Sequence, residues 1–284
     1  MKPILFLAAL LAALCCARAE SRVSLAHDFA ATGDWAQAAL EWRRLAADLG
    51  PEEGGVLCLL LATDAYRQGG DTDRMARMLE RADEAGDPTD PVAVWLHLRL
   101  DEARSHWASA MLYAEELRDS ADARGDYVLK RHAAGALAAD ALRAGRPSEA
   151  RAALADDPIR LEALDAYHAG HDKSPTVGGL LGMVPGLGYA YSGEWGNMLR
   201  SIFLNGLFGW AMVECAEHDE WGLFAMTTFF EFTWYTGSIY GGIDAAHRHN
   251  RDRLEATERA LRGDSEPSVR ATGAVPALSV RLSF

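Results

Sequence analysis

Residues 33–42 read Gly33-Asp34-Trp35-Ala36-Gln37-Ala38-Ala39-Leu40-Glu41-Trp42, and this order of turn, small residue and large apolar residue returns downstream. Gly70-Asp71-Thr72 leads to Met75 and Leu79, Trp107 leads to Ala110 and Ala114, and Gly145-Arg146-Pro147 leads to Ala150 and Leu154. The anchors Ala38, Met75, Ala110 and Ala150 stand 37, 35 and 40 residues apart, a period that belongs to stacked helical hairpins. Each position has a physical task. Glycine supplies the left-handed backbone needed between two helices. A small residue five positions later lets the helices approach, and the residue four further on shares its face and fills the groove to the next unit. Ala, Leu, Arg and Glu dominate around these anchors, which predicts helices over residues 22–158.

Phe29 and Tyr66 stand four residues before Gly33 and Gly70, whereas the third unit has Ser105 at its turn and Ala114 at its large position. The pattern resembles the tetratricopeptide repeat family, with Gly33, Trp35, Ala38, Trp42, Gly70, Met75, Ala110 and Ala150 as packing positions. The resemblance implies a binding scaffold, a curved solenoid whose concave face holds peptides or proteins, and it names no ligand. Between Glu20 and Lys173 there are 29 acidic and 18 basic residues, a net of −11. That excess reads first as a solvated surface and second as an attraction for basic partners.

Composition changes after Lys173. Three apolar segments follow, Thr176–Tyr191, Asn197–Glu214 and Trp221–Ile243, and their lengths predict a module of two to three transmembrane helices over residues 174–246. The first segment carries Pro185 and is the one expected to be re-entrant or broken if any is. Gly178, Gly182 and Gly186 fall on one helical face, with Gly237 and Gly241 as a matching ridge. The stretch Pro185-Gly186-Leu187-Gly188-Tyr189-Ala190-Tyr191-Ser192-Gly193 resembles TM2-type small membrane domains. That resemblance implies a helical membrane module and no enzymatic activity.

A hairpin centred on residues 217–218 sets Asn205 and Glu231 at nearly one depth. Their expected role is a polar clasp, with Arg200 in reach and Thr227, Thr228 and Tyr235 as hydroxyl partners; the alternative is a proton- or solute-handling site. The loop Glu214–Glu220 has no Lys or Arg, while Arg248, Arg251 and Arg253 follow the last segment. Positive-inside logic then places the loop outside, the C-terminal side in the cytoplasm, and three crossings between.

Met1-Lys2, an apolar run to Ala17 and Ala17-Arg18-Ala19 form a secretory signal over residues 1–19. This addresses the repeats, residues 20–170, to the periplasmic side of a bacterial inner membrane. Leu14, Cys15 and Cys16 match a lipoprotein site poorly, and Cys58 and Cys215 are expected as unpaired thiols. His247, His249 and Asp244, or His168 and His171, lack the spacing of a metal centre. No cofactor, catalytic or metal-binding motif stands out, so the chain reads as a non-enzyme. Residues 247–262 are expected as a juxtamembrane helix and 263–284 as a flexible tail or β-augmentation peptide, because Leu278–Phe284 alternates with period two.

The whole chain has 284 residues, a net charge of −13 and a mean hydropathy of −0.10. This balance excludes disordered and collagen-like chains and argues against nucleic-acid binding. The expected fold is all-α, and the expected function is a membrane-anchored envelope scaffold with protein partners and a possible homo-oligomeric state.

Overall fold

The computed structural model describes residues 21–50, 54–263, 268–272 and 279–283. The segment expected as a secretory signal, residues 1–19, lies outside them. Among the described residues the chain is all-α apart from one short strand pair. It divides into two units, the first formed by residues up to Leu161 together with those from Leu261 onward, the second by Glu162–Ala260.

The first unit runs α1 (21–31), α2 (Trp35–Leu49), α3 (Gly55–Gln68), α4 (Thr72–Ala85), α5 (Pro91–Ala103), α6 (Trp107–Ala123), α7 (Tyr127–Arg143) and α8 (Pro147–Ala153), then enters α9 (Pro158–Ala169). From α2 to α8 consecutive helices pack on one another, and α3 also meets α5. Aspartates start many of these helices. Asp34, Asp71, Asp90 and Asp126 accept from the backbone N–H of Gln37, Arg74, Val92 and Leu129, satisfying donors that a helix start leaves open. Gly33, Gly70, Gly125 and Gly145 are left-handed, and so is Ser105, which bears the steric cost of a Cβ there.

Ala38, Trp42, Met75, Leu79, Ala110, Ala114, Ala150 and Leu154 all lie in the core of this unit, while Trp35 is half-buried. Alanine at three of the four small positions lets neighbouring helices close up, and Trp42, Leu79 and Leu154 fill the space beside them. The Gly125-Asp126 turn between α6 and α7 repeats the chemistry of Gly33-Asp34 and Gly70-Asp71 and is a unit boundary that the four-anchor reading passed over.

Residues 263–284 were expected as a flexible tail or a β-augmentation peptide. Instead β1 (Ser268–Thr272) and β2 (Ser279–Ser283) pair antiparallel, with Val269 opposite Leu282 and Arg270 opposite Arg281. The pair lies along α3 and α5. Its backbone groups find partners in each other, which two isolated period-two segments would lack.

The second unit contains α10 (Pro175–Gly182), α11 (Leu187–Tyr191), α12 (Trp195–Glu217) and most of α13 (Trp221–Arg262). The first apolar segment is thus broken: α10 ends at Gly182, and Pro185 and left-handed Gly186 turn the chain into α11. No described helix is long and apolar enough to cross a membrane. The three-crossing arrangement therefore falls. Eight- and five-residue helices cannot span, and Asn197, Arg200, Asn205, Glu231 and the Thr-rich run dilute α12 and α13. Residues 247–262, expected as a helix, are helical and form the last part of α13, which runs unbroken from Trp221.

Candidate functional site

Two places hold polar groups in unusual positions. In the second unit, the residue of α12 that is fully buried is Asn205, at 7% exposure, while Leu199, Ile202, Phe203, Leu207, Trp210 and Val213 are exposed. On α13, Leu223, Met226, Phe229, Phe230, Phe232 and Trp234 are exposed as well, and the buried polar residue is Ser238. Where α12 meets α13 the contacts are Ser201 Oγ to Ser238 Oγ at 3.1 Å and the stacked rings of Phe208 and Phe230. Asn205 Nδ2 donates to the Ser201 carbonyl at 2.7 Å, and Ser238 Oγ accepts from the Gly186 N–H at 3.2 Å. Polar inside and apolar outside reverses the arrangement of a water-facing helix.

The expected clasp is not formed. Asn205 Oδ1 and Glu231 Oε2 are buried without partners, and among the described residues no hydrogen bond joins Asn205, Glu231 and Arg200. The reason is register. Pairing of 201 with 238 and of 208 with 230 centres the hairpin at residues 219–220, where Asp219 is left-handed. Asn205 therefore faces the 234–238 turn of α13, about one helical turn beyond Glu231. Thr227 and Thr228 hydroxyls donate to the carbonyls of Leu223 and Phe224, and the Tyr235 hydroxyl to that of Met183, so none serves Glu231. A small cavity of about 150 Å³ lined by Tyr189, Asn197, Arg200, Ser201, Asn205 and Trp234 is what the hairpin encloses there.

The glycine ridge is shifted too. A Cβ on Gly178 would strike the Gly242 carbonyl, one on Gly182 would strike Ile239 and Ser238, and one on Gly241 would strike Tyr189. Gly186 sits against Met198 and Ile202 of α12, and Gly237 has open space. Gly242, not Gly237, completes the ridge, because α10 meets the later part of α13. Arg248 and Arg253 are not free topological charges. Arg248 pairs with Glu194 at 2.8 Å and with Asp244, which holds the Glu194 carboxyl below its ordinary range. Arg253 pairs with Asp172 at 2.6 Å and donates to the Tyr167 carbonyl.

In the first unit, Arg262 inserts its guanidinium between Glu102 of α5, at 2.5 Å, and Asp140 of α7, at 2.7 Å. Asp140 is 0% exposed, and its Oδ2 has no partner. Burial and the neighbouring Glu102 push the Asp140 carboxyl up to about 8, with Arg262 opposing them. The approach is close: a Cβ on Gly135 would strike the Leu261 carbonyl. Arg160, itself buried, donates to the carbonyls of Arg131 at 2.5 Å and Arg262 at 3.1 Å, so the backbone of this segment is held as well. Sequence reading missed this cluster entirely.

Cys58 is buried and unpaired, and burial raises its thiol to about 12, which leaves it unreactive. Cys215 is half-buried and unpaired. Among the described residues no group of three or more His, Cys, Asp or Glu could hold a metal ion, and His247, His249, His168 and His171 join no such group. No protein-family model, curated protein or solved structure matches this chain.

Proposed function

We propose that the protein is a membrane-associated scaffold of a bacterial envelope, in which the helical repeats bind protein partners and the α12–α13 hairpin holds them at a lipid phase. The observation that carries this reading is the reversed hairpin, with Asn205, Ser201 and Ser238 inside and a continuous set of large apolar side chains outside. An apolar surface of that extent in water would drive association. Hydrocarbon removes the penalty and leaves polar contacts as the glue between helices. The reading is of lipid burial and requires no crossing. The export-type N-terminal sequence and the resemblances to tetratricopeptide and TM2-type modules favour the same address and the same division of labour.

Vesicle flotation tests it. The full chain is expected to rise with phosphatidylethanolamine–phosphatidylglycerol vesicles, and a Phe203→Glu, Phe229→Glu double variant to stay behind. A wild-type chain that remains at the bottom as a soluble oligomer would show that other copies, not lipid, cover the hairpin.

A second reading, proton or small-solute handling, rests on Glu231, whose Oε2 lacks a partner. It requires Glu231→Gln to abolish dissipation of a pH gradient by proteoliposomes while leaving flotation intact.

A further inference from the structure

The Arg262 cluster and the β1–β2 pair belong together. Both lie on first helices of the helical pairs: the strands along α3 and α5, Glu102 on α5, Asp140 and Gly135 on α7. Both are supplied by the C-terminal part of the chain, by residues 261–263 and by the strands 268–272 and 279–283. The two strands place Arg270 directly opposite Arg281. Like charges so placed disfavour pairing.

The guanidinium site has a feature that simple helix packing does not need. Two carboxyl groups, those of Glu102 and Asp140, converge on one guanidinium deep in the unit, and Asp140 Oδ2 is buried without a donor from any other residue. Burying an acidic pair for internal stability is poor design, since an apolar replacement serves as well or better. Carboxylates arranged around a planar fork are, however, a means of recognising arginine.

We propose that the face formed by α3, α5 and α7 is a recognition groove for an arginine followed by extended chain, and that this protein's own C-terminal segment is its resident occupant. This rests on the scaffold reading and gives its partner a chemistry: a protein segment with an arginine leading into a strand. Such a segment enters by displacing Arg262 and the β1–β2 pair. Left-handed Gly263 is the pivot between the anchored helix end and the strands. Tethering gives the resident segment an effective concentration of order mM. A free competitor is therefore excluded unless the anchor is weakened.

The test uses a labelled peptide spanning residues 258–284 and the full chain in detergent, read by fluorescence anisotropy. Wild type is expected to bind the peptide weakly, because its groove is filled. Arg262→Ala frees the anchor site and is expected to bind at least tenfold more tightly. A peptide carrying the same Arg262→Ala change is expected to lose that gain. Arg262→Lys, which keeps the charge but loses the planar fork, is a second route to a weakened anchor should Arg262→Ala fail to fold. Equal affinity of the peptide for wild type and for the folded variants overturns the proposal, as does full binding of the peptide that lacks its arginine. The assay contains no vesicles, so failure of the lipid reading shows separately in flotation.

Discussion

The repeats and the α12–α13 hairpin are both helical and both rich in apolar residues, yet they place them oppositely. In the repeats Trp42 is 3% exposed and Leu79 is fully enclosed, and most charges, apart from Glu41, Asp64, Asp140 and Arg160, lie outside. In the hairpin Phe203 is 67% exposed and Asn205 lies within. The first distribution is what water imposes on a folding chain, and the second is what a non-aqueous surrounding imposes. On the proposed reading, the two units of one polypeptide are adapted to two solvents.

The strongest way to break that contrast is truncation at equivalent large residues. Leu79→Ala is expected to cost about 2–5 kcal/mol in denaturant unfolding. Phe203→Ala in the same detergent buffer is expected to cost under about 0.5 kcal/mol, while weakening vesicle flotation. Similar losses of stability at both sites would make the hairpin an ordinary core element.

Next comes pH. The folded carboxyl of Asp140 titrates near 8, above the value of about 3.9 for an unfolded aspartate. The folded state thus holds a proton that the unfolded chain releases. The contribution is full below about pH 4 and is lost as pH rises towards 8, with a slope of at most about 1.4 kcal/mol per pH unit. Denaturant midpoints from pH 4 to 9 should show this decline in wild type and lose it in Asp140→Asn. A flat wild-type profile would mean that Arg262 keeps Asp140 ionised throughout.

Smaller effects sharpen the same picture. Gly242→Ala places a methyl against the Gly178 carbonyl and is expected to cost about 1–3 kcal/mol in the second unit, whereas Gly237→Ala, facing open space, should cost little. Ser105→Gly relieves a left-handed serine but frees the unfolded chain, so a net gain under about 1 kcal/mol in melting experiments is expected.

The helical character of the repeats was legible because their constraints are local. A turn glycine, a capping aspartate and a small residue five positions on all act within one hairpin. Gly125-Asp126 obeys the same local rule and was overlooked only because one glycine turn was sought per helical pair. The hairpin was legible in composition but not in register. Running α12 through Glu217 moves the turn to His218–Glu220, and that small shift exchanges Glu231 for Ser238 as the polar neighbour of the Ser201–Asn205 turn. Apolar length alone also overstated the crossing, since the polar residues that line the hairpin interior sit inside the apolar runs. The arginine cluster was beyond reach, because Arg262 meets partners 160 and 122 residues earlier in the chain. The strand pair was half visible: Leu278–Phe284 alternates, but its partner Ser268–Thr272 lies in a stretch that reads as linker.

The central claim is that the hairpin faces lipid, and tryptophan quenching tests it most directly. Two full-length variants would each keep one tryptophan, Trp210 on the hairpin or Trp42 in the repeat core, in vesicles with brominated acyl chains. The account predicts strong quenching of Trp210 and none of Trp42. Trp210 emission that is blue-shifted but unquenched would contradict it, showing the hairpin buried against protein rather than in lipid.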